Sequence, residues 1–145
     1  MVWTEKRAAG RLRRGLRGAE AALAAVGGAA VAPRGPPRGA QERVWELSEA
    51  MLRAASARAA EFDFSAIAVS KMNFHGSPHV DKNDLSVQYA VSLGDFADGS
   101  GRLCVEEGPF LVRAFDTKEK LVCIDGRFPH WVSGYTGERY SIIYP

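Results

Sequence analysis

Three histidines occur in the chain, and two of them stand in an order that any fold must reconcile: His79-Val80-Asp81, then His130 about fifty residues on, then Arg139-Tyr140-Ser141. Side chains alternate across a β-strand, so His79 and Asp81 point to one side while Val80 turns away into packing. Arg139 and Ser141 share a face by the same rule. If His130 is to join His79 and Asp81, its strand must lie beside theirs, which a double-layered β fold provides.

Two imidazoles and one carboxylate can occupy one face of an octahedral ferrous ion and leave positions open for a co-substrate and O₂. Such a set also binds Zn²⁺, so the identity of the metal stays open. Arg139 offers a planar fork that holds a carboxylate through two charge-assisted hydrogen bonds, and the Ser141 hydroxyl adds a third donor. The distal carboxylate of 2-oxoglutarate requires this while its keto-acid end chelates iron. The pattern therefore reads as a non-haem iron oxygenase site, with His79, Asp81 and His130 on the metal and Arg139 and Ser141 on 2-oxoglutarate. Taken singly, His-x-Asp is usually a surface pair and a C-terminal Arg is usually solvated. The reading rests on their joint order.

Four other residues lie near this pattern. Asn83 shares a face with Asp81 if the strand continues, where it would orient the ligand carboxylate or touch substrate; otherwise it caps the turn into Asp84. His75 is a pocket-wall or satisfied histidine rather than a ligand, because His75-x-Ser77 supplies no carboxylate. Tyr89 and Trp131 are core residues by type that could still line the 2-oxoglutarate site. Glu106-Glu107 would point to opposite faces of a strand and reads as a solvated turn, not a catalytic acid pair.

The surrounding sequence is strand-like after Phe62. Runs at 64–72, 85–93, 102–106, 110–113, 121–124 and 140–144 are rich in β-branched and aromatic residues and are cut by Gly, Pro, Asp and Asn. In the clearest alternation, Leu85, Val87, Tyr89, Val91 and Leu93 oppose Ser86, Gln88, Ala90 and Ser92, which predicts one buried face. Asp98-Gly99-Ser100-Gly101 and Asp125-Gly126 are turns by residue type, the second setting His130 at a strand start. Upstream, Val44, Leu47, Met51, Leu52 and Ala55 recur at helical spacing, predicting an amphipathic helix over 41–60 packed outside the sheet, with Trp45 in core or interface. The expected fold is mainly β: a jelly roll over 62–145 with this helix on its outside.

Residues 1–40 are basic and rich in Ala, Gly and Pro, and read as a poorly ordered leader and linker, with a short helix conceivable over 19–32. The formal net charge of +2 hides an asymmetry: residues 1–60 carry eleven Lys/Arg against five Asp/Glu, and residues 61–145 eight against twelve. A basic leader can reach DNA, RNA or an anionic membrane surface, or it can simply be solvated. No run has the length of a membrane span. Cys104 and Cys123 form neither a disulfide framework nor a thiolate zinc motif, and free thiols suit an intracellular reducing compartment. The Arg- and Ala-rich start has some transit-peptide character, weakened by Glu5 and few serines, so an organelle is left open.

From His79 to Tyr144 the chain resembles the Fe(II)/2-oxoglutarate dioxygenases, and among them the TET/JBP-like oxygenases of unicellular eukaryotes. The likeness is carried by His79-Val80-Asp81-Lys82-Asn83, Leu93-Gly94-Asp95-Phe96, Gly101-Arg102-Leu103, Asp125-Gly126-Arg127-Phe128-Pro129-His130 and Tyr135-Thr136-Gly137-Glu138-Arg139-Tyr140-Ser141. It implies a double-stranded β-helix, iron on His79, Asp81 and His130, and 2-oxoglutarate on Arg139. It also implies O₂ as co-substrate and a 5-methyl pyrimidine base, flipped from a duplex, as primary substrate, which would place the protein in the nucleus. A protein-side-chain (prolyl-type) or small-molecule hydroxylase, or an inactive metal-binding remnant, are the alternatives. The family usually has adjacent glycines where this chain has Asp98-Gly99-Ser100-Gly101, and usually continues beyond the anchor Arg, so a minimal or truncated copy with uncertain activity is expected.

Overall fold

The computed structural model describes residues 30–31, 40–72 and 77–145. The expectations for 1–29 and 32–39, and the expectation for His75, lie outside the described residues. Within the leader, Ala30–Val31 forms a short strand, β1, and not the end of a helix.

Helix α1 spans Ala40–Ala55. Its apolar stripe is the expected one, with Met51 and Leu52 buried and Val44, Trp45, Leu47 and Ala55 packed beside them. The helix ends at Ala55 and not at residue 60, because Ser56 is extended (φ −165°, ψ 163°) and accepts a hydrogen bond from the backbone N–H of Ala59. That side-chain cap starts a separate turn of helix, α2, at Ala57–Ala60. Arg53 ties the two together by donating to the carbonyls of Ala60 and Phe62, each at 2.7 Å.

Among the described residues, seven strands follow: β2 (Ala68–Met72), β3 (Gln88–Gly94), β4 (Leu103–Gly108), β5 (Leu111–Phe115), β6 (Val122–Ile124), β7 (His130–Val132) and β8 (Arg139–Tyr144). They form two antiparallel sheets, one in the order β1-β2-β8-β3-β6 and one in the order β5-β4-β7. The segment around His79 extends the smaller sheet through one antiparallel bridge to His130. Counting that segment, the large sheet carries the first, eighth, third and sixth strands of a jelly roll, and the small sheet the second, seventh, fourth and fifth. This is the double-stranded β-helix.

The layers explain the alternation of β3. Tyr89, Val91 and Leu93 pack with Tyr140, Ile142 and Tyr144 of β8 against Met51 and Leu52 of α1. Ala90 lies on the opposite face, among Leu103, Val105, Val122 and Ile124 between the sheets. Gln88 and Ser92 share the Ala90 face and are 2% and 1% exposed. Both faces are therefore buried. The face with polar residues is the inside of the roll.

Several boundaries differ from the sequence expectation. The strand starts at Gln88, leaving Leu85 exposed. Phe64 precedes β2 and stacks edge-on to Tyr144 at 5.4 Å. Glu106 and Glu107 lie in β4 beside a bulge rather than in a turn, and Glu107 pairs with Arg113 at 2.6 Å. Cys104 and Cys123 are free, with burial pushing both thiols up. Among the described residues, no helix is long and apolar enough to cross a membrane.

Candidate metal centre and carboxylate pocket

His79 and His130 exchange both backbone hydrogen bonds, at 3.0 and 2.9 Å. Residues paired in this way project their side chains from the same face, and the rings lie 4.4 Å apart between centroids. Asp81 is held by its backbone N–H, which donates to the Gly126 carbonyl at 2.9 Å. One ligand atom from each of His79, Asp81 and His130 lies within 4.8 Å of the other two. Asp81 Oδ2 is 3.4 Å from His130 Nε2.

Both imidazoles are aimed by the backbone. His79 donates from Nδ1 to the Ser77 carbonyl at 2.9 Å, and His130 from Nδ1 to the Phe128 carbonyl at 3.0 Å. A carbonyl only accepts, so Nδ1 is the donor in each ring, and in the neutral imidazole Nε2 is then the nitrogen with a free lone pair. This is the tautomer that a metal-binding histidine needs. The donor set fits a divalent ion of the iron or zinc class.

The expected anchor lies farther along the inner face. Arg139 is 2% exposed, and no carboxylate among the described residues lies within ion-pair distance of it. Nη1 donates to Ser141 Oγ, Nη2 donates to Thr117 Oγ1 at 3.2 Å, and Nε is buried without a partner. Phe96 and Tyr135 flank the guanidinium with ring centroids at 5.6 and 5.8 Å. Burial without a counter-charge brings its pKa down to about 10, against a small opposing pull from Tyr135. A buried, uncompensated cation of this kind is relieved by an anionic ligand.

The His79-Asp81-His130 cluster and the Arg139 cation are linked to opposite ends of the inner face of β3. Gln88 touches Asp81 at one end, and Ser92, four residues on and about 13 Å along the strand, reaches Thr117 Oγ1 at 2.8 Å.

Other expectations are corrected here. The chain turns at Lys82–Asn83, with the Asp84 N–H on the Asp81 carbonyl at 3.2 Å, so Asn83 is exposed and does not continue the Asp81 face. Tyr89 packs edge-on to Phe62 at 5.0 Å on the helix side of the sheet, away from the site. Trp131 is half-buried and pairs with Cys104, on the face of β7 opposite His130. Val80 is 39% exposed, so it does not pack inward.

Gln88, Ser92, Thr117 and Gly126 belong to the site and were not singled out by sequence. A signal existed for Gln88 and Ser92, which form the polar half of the β3 alternation. Gly126 is required by closeness: a Cβ there would fall 2.2 Å from Gln88 Nε2, 2.5 Å from Asp84 Oδ2 and 2.9 Å from Asp81 Oδ2. Burial, and then the charge on Asp81, pushes the Asp84 carboxyl up.

No family model matches the chain, nor does any curated protein. Solved structures do. A 2OG-Fe(II) oxygenase family oxidoreductase from Burkholderia pseudomallei superposes with a TM-score of 0.62 at 17% identity, covering 92% of this chain and 75% of that one. The chain has the fold of the 2-oxoglutarate-Fe(II) oxygenases. A Trichoplax adhaerens prolyl hydroxylase, solved with a hypoxia inducible factor oxygen degradation domain peptide, gives 0.57 at 15% identity over 92% of this chain and 76% of that one. NgTET1 in complex with 5mC DNA gives 0.48 at 18% identity over 56% of this chain and 33% of that one.

Proposed function

We propose that this protein is an Fe(II)- and 2-oxoglutarate-dependent dioxygenase. The observation that carries the reading is a His79-Asp81-His130 cluster, with His79 exposed, Asp81 half-buried and His130 buried, in the same roll as a buried Arg139 that pairs with no carboxylate among the described residues. His79, Asp81 and His130 would hold the iron, and Arg139 with Ser141 and Thr117 would hold the distal carboxylate of the co-substrate. Bound iron and 2-oxoglutarate supply the activation of O₂ for oxidation of a C–H bond. The chain supplies orientation: carbonyls fix each imidazole, Gln88 restrains Asp81, and the apolar walls from Leu103, Val105, Val122 and Ile124 exclude water. Anaerobic addition of 2-oxoglutarate to the Fe(II) protein tests the reading. A weak visible charge-transfer band, lost in both Asp81→Ala and Arg139→Ala, supports it; iron binding without the band overturns it.

For the primary substrate the observations favour a protein side chain, the chemistry named for the Trichoplax neighbour. Of the eight Lys and Arg in 61–145, five pair with carboxylates: Lys71, Arg113, Lys118, Lys120 and Arg127. Arg139 is buried, Lys82 and Arg102 are the cations of this segment outside those pairs, and acidic residues exceed basic ones by four, so the segment offers no excess positive charge to a duplex backbone. The excess of six positive charges in residues 1–60 favours the second reading, oxidation of a nucleic-acid base. Replacing Arg7, Arg11, Arg13, Arg14 and Arg17 by Gln in the full chain separates the two. Salt-sensitive DNA binding that collapses supports the second reading; peptide-dependent succinate release that survives supports the first.

A further inference from the structure

We propose that Gln88 is a positioning residue for Asp81, holding the carboxylate in its metal-binding rotation before any ion arrives. The inference rests on the metal site described above and adds a residue to it. Gln88 is 2% exposed and donates from Nε2 to Asp81 Oδ2 at 2.9 Å. The same oxygen faces His130 Nε2 at 3.4 Å, so one atom is both the acceptor of the amide and the carboxylate atom nearest the imidazole.

The need for such a restraint follows from where Asp81 lies. The chain turns immediately after it, and its side chain is 34% exposed, so the local backbone leaves the carboxylate able to swing toward solvent. Gln88, by contrast, starts a central strand and is registered against Ile124 of β6. Its amide lies flush on the Gly126 backbone, where no Cβ fits. A residue of a central strand therefore aims a half-exposed carboxylate beside a turn. An amide suits the task because it donates without carrying charge; a Lys or Arg there would neutralise the carboxylate that has to bind a cation. Asp84 lies against the same glycine with Oδ2 buried and unpartnered. Loss of the amide would leave two carboxylates crowded there without the donor.

The test is titration with Co(II) alone, read by its d–d absorption, in wild type, Gln88→Met and Val91→Ala. Methionine keeps the length of the side chain and removes the donor, whereas Val91→Ala loosens the same strand from its helix side without touching Asp81. The expected result is at least tenfold weaker Co(II) binding with an altered d–d spectrum in Gln88→Met, and wild-type binding in Val91→Ala. Equal affinity and spectrum in Gln88→Met would overturn the proposal. Should Gln88→Met not fold, the wild-type side-chain amide is followed by NMR on adding Zn(II). A slowly exchanging, metal-responsive Gln88 amide supports positioning, and an averaged, indifferent one overturns it. Wild type that takes up no Co(II) overturns this inference and the metal site together; normal Co(II) behaviour without the Fe(II)/2-oxoglutarate band overturns the oxygenase reading alone.

Discussion

Thr117 and Arg139 are joined side chain to side chain: Nη2 donates to Oγ1 at 3.2 Å, and the same oxygen meets Ser92 Oγ at 2.8 Å. A hydroxyl from the segment after β5 thus holds the guanidinium to the inner face of β3, and the Thr117 carbonyl accepts from the Ser92 N–H at 2.8 Å to fix that segment. Thr117→Val keeps the shape and removes the hydroxyl. It should cost about 1–2 kcal/mol of stability in denaturant melts. It should also weaken 2-oxoglutarate binding severalfold by calorimetry. Unchanged affinity would show that Thr117 packs without positioning the anchor.

Arg139→Met should separate stability from binding. Replacing an uncompensated buried charge by an apolar side chain is expected to leave the metal-free protein as stable as wild type or more so. Wild type alone should then gain stability from 2-oxoglutarate, about 2.7 kcal/mol at a hundred times Kd, read as a rise in melting temperature. A variant still stabilised by the ligand would place the carboxylate elsewhere.

Gly126→Ala should impair the metal centre more than a surface Gly→Ala change, since its Cβ would overlap the Gln88 amide and both neighbouring carboxylates. The expected outcome is a loss of more than tenfold in divalent-metal affinity, together with a lower melting temperature. Retained affinity would show that the Asp81–Gln88 contact moves freely.

Asp116 allows a test by pH. Burial alone would raise its carboxyl, but the Lys120 ammonium and the Lys118 N–H outweigh it and hold the group below its ordinary range. A depressed carboxyl stabilises the fold above its unfolded pKa and loses that contribution as pH falls through the folded value. Asp116→Asn should therefore be less stable at pH 7, by at most about 1 kcal/mol because the pair is partly exposed. The gap to wild type should close on acidification below about pH 3.8. A gap that persists in acid would mean that the hydrogen bonds, not the charge, matter.

Tyr144→Phe tests the docking of the helix. The Tyr144 hydroxyl donates to the Ser48 carbonyl at 2.7 Å and is fully buried, joining β8 to α1. Desolvation holds this phenol far above its ordinary range, against a smaller downward pull from Ser48. Losing the hydroxyl should cost about 1–3 kcal/mol in chemical denaturation, with metal affinity unchanged. A change in metal binding would show that the helix also shapes the site.

Local chemistry determined much of this protein from sequence alone. Apolar spacing placed α1, turn residues placed the loops around Gly99 and Gly126, and the order His-x-Asp, His, Arg-x-Ser marked the residues now found in the His79-Asp81-His130 cluster and at the buried cation. These signals are short-range or chemically distinctive, so a linear reading captures them. What the tertiary structure decided is which side of each strand becomes the interior. The polar half of β3 resembled a solvated face because alternation records a difference between two faces, not their surroundings. Closure of the second sheet over Gln88, Ala90 and Ser92 buried that polar half. The same closure brought Thr117 to Arg139 and Gln88 to Asp81. No local spacing specifies those contacts, because they depend on the register of strands distant in sequence. The turn at Lys82–Asn83 likewise removed Asn83 from the site, and the helix packed on the outer face claimed Tyr89 for the core.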